Sequence, residues 1–501
     1  MVRGVVVVND EQSQAYTQRF TQEYTQQWFP SQAMPNEPTT TANIQNWIGL
    51  ATESSYLVDE RYEAFINNIP ASIGAREALL GLIGAMRCED SVVPFIGAGV
   101  SCAVGYEGWW SLLNRTAGTL DAKTCADVRE SLAADAFLEA ADKLDAAVPG
   151  GMSAVIKETF GPKPDMAQAL GGLLPSFTGP VVTTNYDPVV ESVLGVGPAC
   201  VILPTTGQDE AIRALGLGQV VVKIHGTFDV PSSHILTKRS YDCAYLADGK
   251  PDWTKPIPCI VQSLNAYRSL LFIGCSLVAD EYLTWLAPTS ARRSHYALLP
   301  YPGDDAVEAR LSFLRALNIE PVWYPSGGDW GRHAYLQTVL AYALSEAAVA
   351  SPEPSSTQAV LSFDAQNLVR SAWAHSIFSR LQPAFDLYSQ ALSVIVDEKA
   401  VPDLELFSKC KLGLAASAKA LGHRDQARAL VTELLTVDTL ARTTVVEACW
   451  LLAELSYPDR CEEALHALYG AMASITAETW GSEARAVGKL VEKLRLTVNE
   501  C

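Results

Sequence analysis

The sequence predicts an α/β fold, a Rossmann-like parallel sheet with helices on both faces, followed by an all-α, helical-repeat-like C-terminal domain. Three observations predict it. Short β-branched runs, Val92-Val-Pro-Phe-Ile96, Pro180-Val-Val-Thr-Thr184, Gln219-Val-Val-Val-Lys-Ile224 and Leu270-Leu-Phe-Ile273, have the length and apolar content of strands buried on both faces. Ala/Leu-rich stretches of helical character separate them, the alternation that builds a parallel sheet covered by helices. Beyond residue 351 the strand-like runs stop.

In chain order, residues 1–75 read as an accessory segment, mostly helical. It has a short apolar start at Val5 to Val8, a Gln/Thr-rich stretch and a Pro-rich break from Pro30 to Thr41. From Ile44 to Ala85 the apolar positions fit helices better than strands. The α/β domain spans 76–348. Its first strand stops at Gly97-Ala-Gly-Val-Ser101, with a helix following from Trp109, and its last strands are Tyr296 to Leu299 and Glu320 to Tyr324. Residues 349–358, with Ser351-Pro-Glu-Pro-Ser-Ser-Thr357, form a linker, because two prolines one residue apart cannot continue the preceding Ala-rich helix.

Residues 359–501 form the helical domain. Three segments there share a helix-face stripe: Ala384, Leu387, Tyr388, Ala391, Leu392; Ala427, Leu430, Val431, Leu434, Leu435; and Ala464, Ala467, Leu468, Ala471, Met472. Apolar residues at offsets 0, 3, 4, 7 and 8 make one stripe per helix, and their spacing suggests stacked helix pairs resembling a degenerate tetratricopeptide array. An irregular helical bundle accounts for the same stripes.

The bulk numbers set limits on partners. At 501 residues, two or three domains are expected. With 49% hydrophobic and 19% charged residues the chain has ample core material. A net charge of −19 disfavours direct nucleic-acid binding and docking on anionic lipid, both of which need clustered Lys and Arg. No apolar stretch reaches the roughly 18 residues of a membrane span, and the apolar start before Asn9 is too short for a secretory signal. The chain therefore reads as cytoplasmic, and its eleven cysteines, none two residues apart, as reduced thiols.

The chemistry lies at the carboxyl ends of four predicted strands, where open α/β sheets bind ligands. Gly97-Ala-Gly99 can bring a diphosphate close to backbone amides, because glycine removes the side chains that block the approach. His225, before Gly226, can act as a general base near neutral pH, although a lone histidine after an apolar run also serves as a satisfied structural group. Asn185 reads equally as a turn-capping residue before Asp187-Pro188.

The ordered set GAGVS, TNYD, KIHG and a strand leading to GCSL, with Asp280 shortly after, resembles the sirtuin (silent information regulator) superfamily, specifically its divergent prokaryotic antiphage-defence branch. The resemblance covers roughly residues 85 to 345. It implies an NAD diphosphate against Gly97, Ala98, Gly99 and Ser101. Asn185 and His225 take the catalytic positions, Asp187 faces the nicotinamide carboxamide, and Gly274 and Ser276 line the adenosine side. Thr237 and Tyr241 match a further pattern of structural role.

Two departures bear on the reaction. Family deacylases carry a four-cysteine zinc module after the histidine-glycine strand, and the interval from Thr227 to Ser269 offers only Cys243 and Cys259. The family's Asp-Phe-Arg is replaced by Gly105-Tyr-Glu-Gly-Trp-Trp110. The resemblance then implies an NAD glycohydrolase with water as acceptor, NAD as substrate, no zinc and no permanently bound cofactor. It implies a regulated, NAD-depleting effector of abortive infection, controlled through the helical domain by homo-oligomerisation or by an activating or inhibiting protein. A protein ADP-ribosyltransferase or deacylase, or a nucleotide sensor without catalysis, remains an alternative.

Overall fold

The computed structural model describes residues 55–87, 92–134, 136–149, 151–164, 166–277, 293–326, 333–349, 358–397, 404–437, 440 and 442–456. Its centre is a seven-stranded parallel sheet. The strands are β1 (Val92–Ile96), β2 (Val181–Thr183), β3 (Val201–Ile202), β4 (Val221–Lys223), β7 (Ser269–Ile273), β8 (His295–Pro300) and β9 (Ile319–Tyr324), in spatial order β3-β4-β2-β1-β7-β8-β9. Between β4 and β7 a separate antiparallel hairpin pairs β5 (Leu246–Ala247) with β6 (Lys250–Pro251). Every residue of β1, β2, β4, β7, β8 and β9 is buried, so these strands read as continuous apolar runs rather than alternating ones. Pro94 is tolerated in a central strand because the β2 ladder begins only at Phe95, opposite Val182.

Helices α1 (Ser55–Asn68) and α2 (Ala75–Met86) precede the sheet. The boundary expected near residue 75 falls between them, yet Tyr62, Ile66, Ile69 and Ile73 share one core with Leu79, Leu82, Trp323 and Tyr324, and the Tyr62 hydroxyl donates to the Trp323 carbonyl at 2.9 Å. Residues before 55 lie outside the described residues.

After β1 come α3 (Ala98–Ala103), α4 (Trp109–Ala117), α5 (Ala122–Ala133), α6 (Phe137–Ala147) and α7 (Met152–Thr159), a helical excursion before β2. Asp121 starts α5 by accepting the Lys123 and Thr124 amides, both at 3.1 Å, which satisfies two of the orphan donors of a helix start. The sheet is completed by α8 (Val189–Leu194), α9 (Gln208–Gly216), α10 (Lys238–Tyr245), α11 (Pro256–Tyr267), α12 (Asp304–Ala316) and α13 (Ala334–Val349).

Among the described residues the C-terminal region is all helical: α14 (Gln358–Ile377), α15 (Leu381–Asp397), α16 (Leu404–Ala420), α17 (Arg424–Leu434) and α18 (Arg442–Ser456). Successive helices pack on one another, and α14 also meets α16, as α16 meets α18. Two expected stripes face these interfaces, with Ala384, Tyr388 and Ala391 buried on α15 and Ala427, Val431 and Leu434 on α17. The third stripe, Ala464 to Met472, and the proline linker lie outside the described residues.

This array rests on the sheet domain through α14. Arg268 stacks over the Trp373 ring at 5.4 Å, the Cys259 thiol donates to the Ile377 carbonyl at 2.9 Å, and Arg380, just past α14, pairs with Asp209. Among the described residues no helix is long and apolar enough to cross a membrane.

Candidate active site

Strand order reverses at β1, which has β2 on one side and β7 on the other, so the carboxyl ends of β2, β1 and β7 stand together, with that of β4 next to β2. The segment after β1 turns at Gly97 straight into α3, while the helix expected from Trp109 is the second one. A Cβ on Gly97 would lie 2.5 Å from the Gly274 carbonyl and 2.7 Å from the Cys275 sulfur. Gly274, at φ +69°, would in turn place a Cβ 2.7 Å from the Val100 amide nitrogen. The two glycine loops are thus interlocked, and the Gly97 and Gly99 amides donate to the Ile273 and Gly274 carbonyls, each at 2.9 Å. Glycine here serves the contact between loops before any contact with a ligand.

Asn185 follows β2 and is buried. Its Nδ2 donates to the Gly97 carbonyl at 3.0 Å and to the Ser101 hydroxyl oxygen at 2.9 Å. A carbonyl can only accept, so this network fixes the amide orientation and directs Oδ1 away from α3. Thr183 holds the turn from beneath: its hydroxyl donates to the Ile96 carbonyl at 2.9 Å and accepts the Asn185 amide at 3.1 Å.

Asp187 is also buried. Its carboxylate accepts the Val189 amide at 3.1 Å and a bond from Ser101, and its backbone carbonyl accepts from Lys223 Nζ at 2.6 Å. Burial raises its pKa above the usual carboxylate range, while the Lys223 charge and these hydrogen bonds oppose the shift.

His225 stands two residues beyond β4, half-buried, its ring on the backbone of Thr184, the residue before Asn185. Burial pushes its pKa down to about 4, against the opposing effect of that backbone bond, so the ring is neutral and able to accept a proton at neutral pH. The following Gly226 has φ +95°, and a Cβ there would lie 2.2 Å from the Ser233 carbonyl oxygen. The histidine-glycine pair is therefore a backbone requirement as well as a chemical one. Tyr186 stands 6.5 Å from the His225 ring, with Trp109 at 6.1 Å and Phe160 at 5.8 Å from Tyr186, an aromatic wall along this side.

Gly97, Ser101, Asn185 and Asp187 thus form one bonded cluster, with Ala98 and Gly99 in the same α3 turn. His225 joins it through Thr184, and Gly274 through the glycine lock. Ser276 lies just beyond, its carbonyl accepting from buried Arg310 at 2.7 Å. Thr237 caps α10 by accepting the Ser240 amide at 3.1 Å, and Tyr241 is buried beside Tyr245, both structural placements. Asp280 lies outside the described residues.

Sequence reasoning missed Lys223 and Arg310. Lys223 had a signal, a charge inside an apolar strand; Arg310, on a distant helix, had none. In the interval after β4, Cys243 is exposed and the Cys259 thiol is engaged by α14. Among the described residues no group of three or more His, Cys, Asp or Glu is placed to hold a metal.

Residues 180–322 match the SIR2-like domain family, a span holding Asn185, Asp187, His225, Gly274 and Ser276 but not the Gly97 loop. The chain is also similar to the NAD(+) hydrolase ThsA of Bacillus cereus (strain MSX-D12), at 27% identity over 219 residues. That alignment covers 42% of this chain and 43% of the relative, so the two share less than half of their lengths. Residues 180–322, which run from β2 into β9 of the parallel sheet, form a SIR2-like domain.

Proposed function

We propose that this protein is an NAD glycohydrolase, cleaving NAD to nicotinamide and ADP-ribose. The observation that carries the reading is that Asn185 and His225, from separate strands, both bond to backbone at the neighbouring carboxyl ends of β1 and β2. In this reading Gly97, Ala98, Gly99 and Ser101 hold the diphosphate, Gly274 and Ser276 line the adenosine side, and Asp187 faces the nicotinamide carboxamide. The likeness to an NAD(+) hydrolase supports the substrate.

The nicotinamide of NAD is cationic, so it leaves as a neutral molecule and needs no acid. The barrier lies in the ribose carbon, which becomes oxocarbenium-like, and a fixed dipole facing that carbon lowers it. Asn185 suits this task because both of its amide donor bonds are committed to Gly97 and Ser101, while its carbonyl oxygen accepts the Thr184 hydroxyl at 3.3 Å and keeps a second lone pair for the ribose carbon. His225, neutral at pH 7, takes a proton from water or a ribose hydroxyl, help worth about 10² to 10⁴ in rate. Water is the acceptor, and neither zinc nor a resident cofactor takes part.

An enzyme that consumes NAD needs restraint in its own cell. The reading therefore extends to a cytoplasmic effector of antiphage defence, acting through abortive infection and held in check by homo-oligomerisation or a protein partner on the C-terminal helices, whose stacked pairs offer extended surfaces. Incubating the purified protein with NAD and resolving products by mass spectrometry tests the chemistry. Free ADP-ribose with nicotinamide supports hydrolysis, a modified protein supports transfer, and unchanged NAD in the presence of candidate partners opposes both. Asn185→Ala and His225→Ala should each remove at least 99% of nicotinamide release, about the loss caused by removing one stabilising dipole. Undiminished turnover in both removes the assignment.

A further inference from the structure

We infer that Lys223 is a positioning residue of this site: its buried ammonium ties the Asn185–Asp187 turn to β4 and balances the Asp187 carboxylate. The inference rests on the NAD-cleaving reading for its functional consequence, and on geometry for everything else. Lys223 has a side chain with no exposure to solvent, a rare state for lysine. Its Nζ lies 2.6 Å from the Asp187 carbonyl oxygen and 2.9 Å from Glu191 Oε1. On β4 it stands in register with Thr183, the residue that holds Asn185 from beneath. Its own carbonyl accepts the Gly226 amide at 3.2 Å, so one residue braces the turns that carry both Asn185 and His225.

The charges around it are unequal. Glu191 pairs its carboxylate directly with the ammonium and the Asp187 carboxyl feels the same charge at longer range, while the other titratable groups facing Asp187 are Cys102 at the end of α3 and Tyr106 after it. Burial pushes the Cys102 thiol up to about 11 and the Tyr106 phenol to about 12, so both stay neutral at neutral pH. Lys223 is then the cation whose charge opposes the upward shift that burial gives the Asp187 carboxyl, while Glu191 adds to that shift. Glu191 Oε2 is buried without a hydrogen-bond partner, so the pair is not optimised as a stabilising salt bridge. Its arrangement fits placement of the turn better than stability.

The test compares Lys223→Met with Glu191→Gln in the full chain, each with two readouts. The first is the titration of the Asp187 carboxyl by carbon-13 NMR of aspartate-labelled protein, with the resonance identified by its loss in Asp187→Asn. The second is the pH profile of NAD cleavage. Lys223→Met should move the Asp187 titration and the acid limb of kcat/KM to higher pH by about one unit, with kcat/KM at pH 7 down at least tenfold. Glu191→Gln, a conservative change at a partly exposed side chain, should move both to lower pH. Were Lys223→Met unfolded, Glu191→Gln alone would still decide. Titrations and profiles unchanged from the parent, or displaced in the same direction by both substitutions, would overturn the inference. The NMR readout needs no NAD: an inactive parent with opposite Asp187 shifts faults the NADase reading, and an active parent with no shifts faults Lys223.

Discussion

Replacing Asn185 by aspartate probes the hinge of the site with almost no change of shape. The amide now donates to the Gly97 carbonyl at 3.0 Å and to Ser101 at 2.9 Å. A carboxylate would lose the bond to Gly97 and keep Ser101 only by drawing that hydroxyl from Asp187, about 1 kcal/mol each net, and would press a buried oxygen against the Gly97 carbonyl at a further cost of about 1 to 3 kcal/mol. The sum is roughly 3 to 5 kcal/mol at pH 7.5, or about 10 °C in the melting of a domain this size.

The penalty must depend on pH. Burial beside a carbonyl raises the folded pKa of the new carboxyl above its unfolded value of about 3.9, so the folded variant binds more protons and loses stability as pH rises through that window. At pH 4.5 the protonated acid can donate one bond to the Gly97 carbonyl, recovering about half the loss. Differential scanning fluorimetry of both proteins at pH 4.5 and 7.5, with nicotinamide release at pH 7.5, checks each step. A melting gap equal at the two pH values, or below about 2 °C at pH 7.5, would refute the assigned orientation of the amide.

Gly226→Ala should abolish NAD cleavage and destabilise the sheet domain, since φ is +95° and the new methyl would lie 2.2 Å from the Ser233 carbonyl oxygen; a soluble variant with parental melting and turnover contradicts this. His295, wholly buried between the Leu270 amide and Asn265, has its pKa pushed down to about 4 by burial. Its stabilising contribution of about 3 kcal/mol is present above pH 6.5 and lost as pH falls toward 4, with His225 acting in the same sense. Urea midpoints that do not fall between pH 7 and pH 4.5 would count against both placements. Gly413→Ala should loosen the helical array, because its methyl would fall 2.3 Å from the Tyr388 ring where α15 crosses α16. Limited proteolysis should then cut first within 381–420, and unchanged resistance there would contradict the packing.

Much of this architecture was legible because strands buried on both faces are apolar throughout: the runs at 92, 181, 221, 270, 296 and 320 all became strands of the parallel sheet. Val201–Ile202 escaped because two residues carry no periodicity. The β5–β6 hairpin turns on Asp248-Gly249, both at positive φ, a pair that announces a tight turn, yet its two-residue strands are too short to declare themselves. Within the site, the residue types at the strand ends could be read from the sequence, but their bonding could not. Gly97 reads as room for a diphosphate and proves first to be room for Gly274 and Cys275, nearly 180 residues away. The Asn185 bond to Gly97 spans 88 positions and leaves no local signal. Lys223 announced itself as a charge in a buried strand; its partners, Asp187 and Glu191, emerge only when β2 and β4 lie side by side.

The central claim is spatial, that Asn185 and His225 address one sugar carbon. A crystal structure of His225→Ala with NAD bound tests it most directly. The account predicts the diphosphate at the Gly97–Ser101 turn, the nicotinamide ribose between positions 185 and 225, and the Asn185 carbonyl oxygen facing the anomeric carbon. NAD bound elsewhere, or the two positions opening into different cavities, would contradict it.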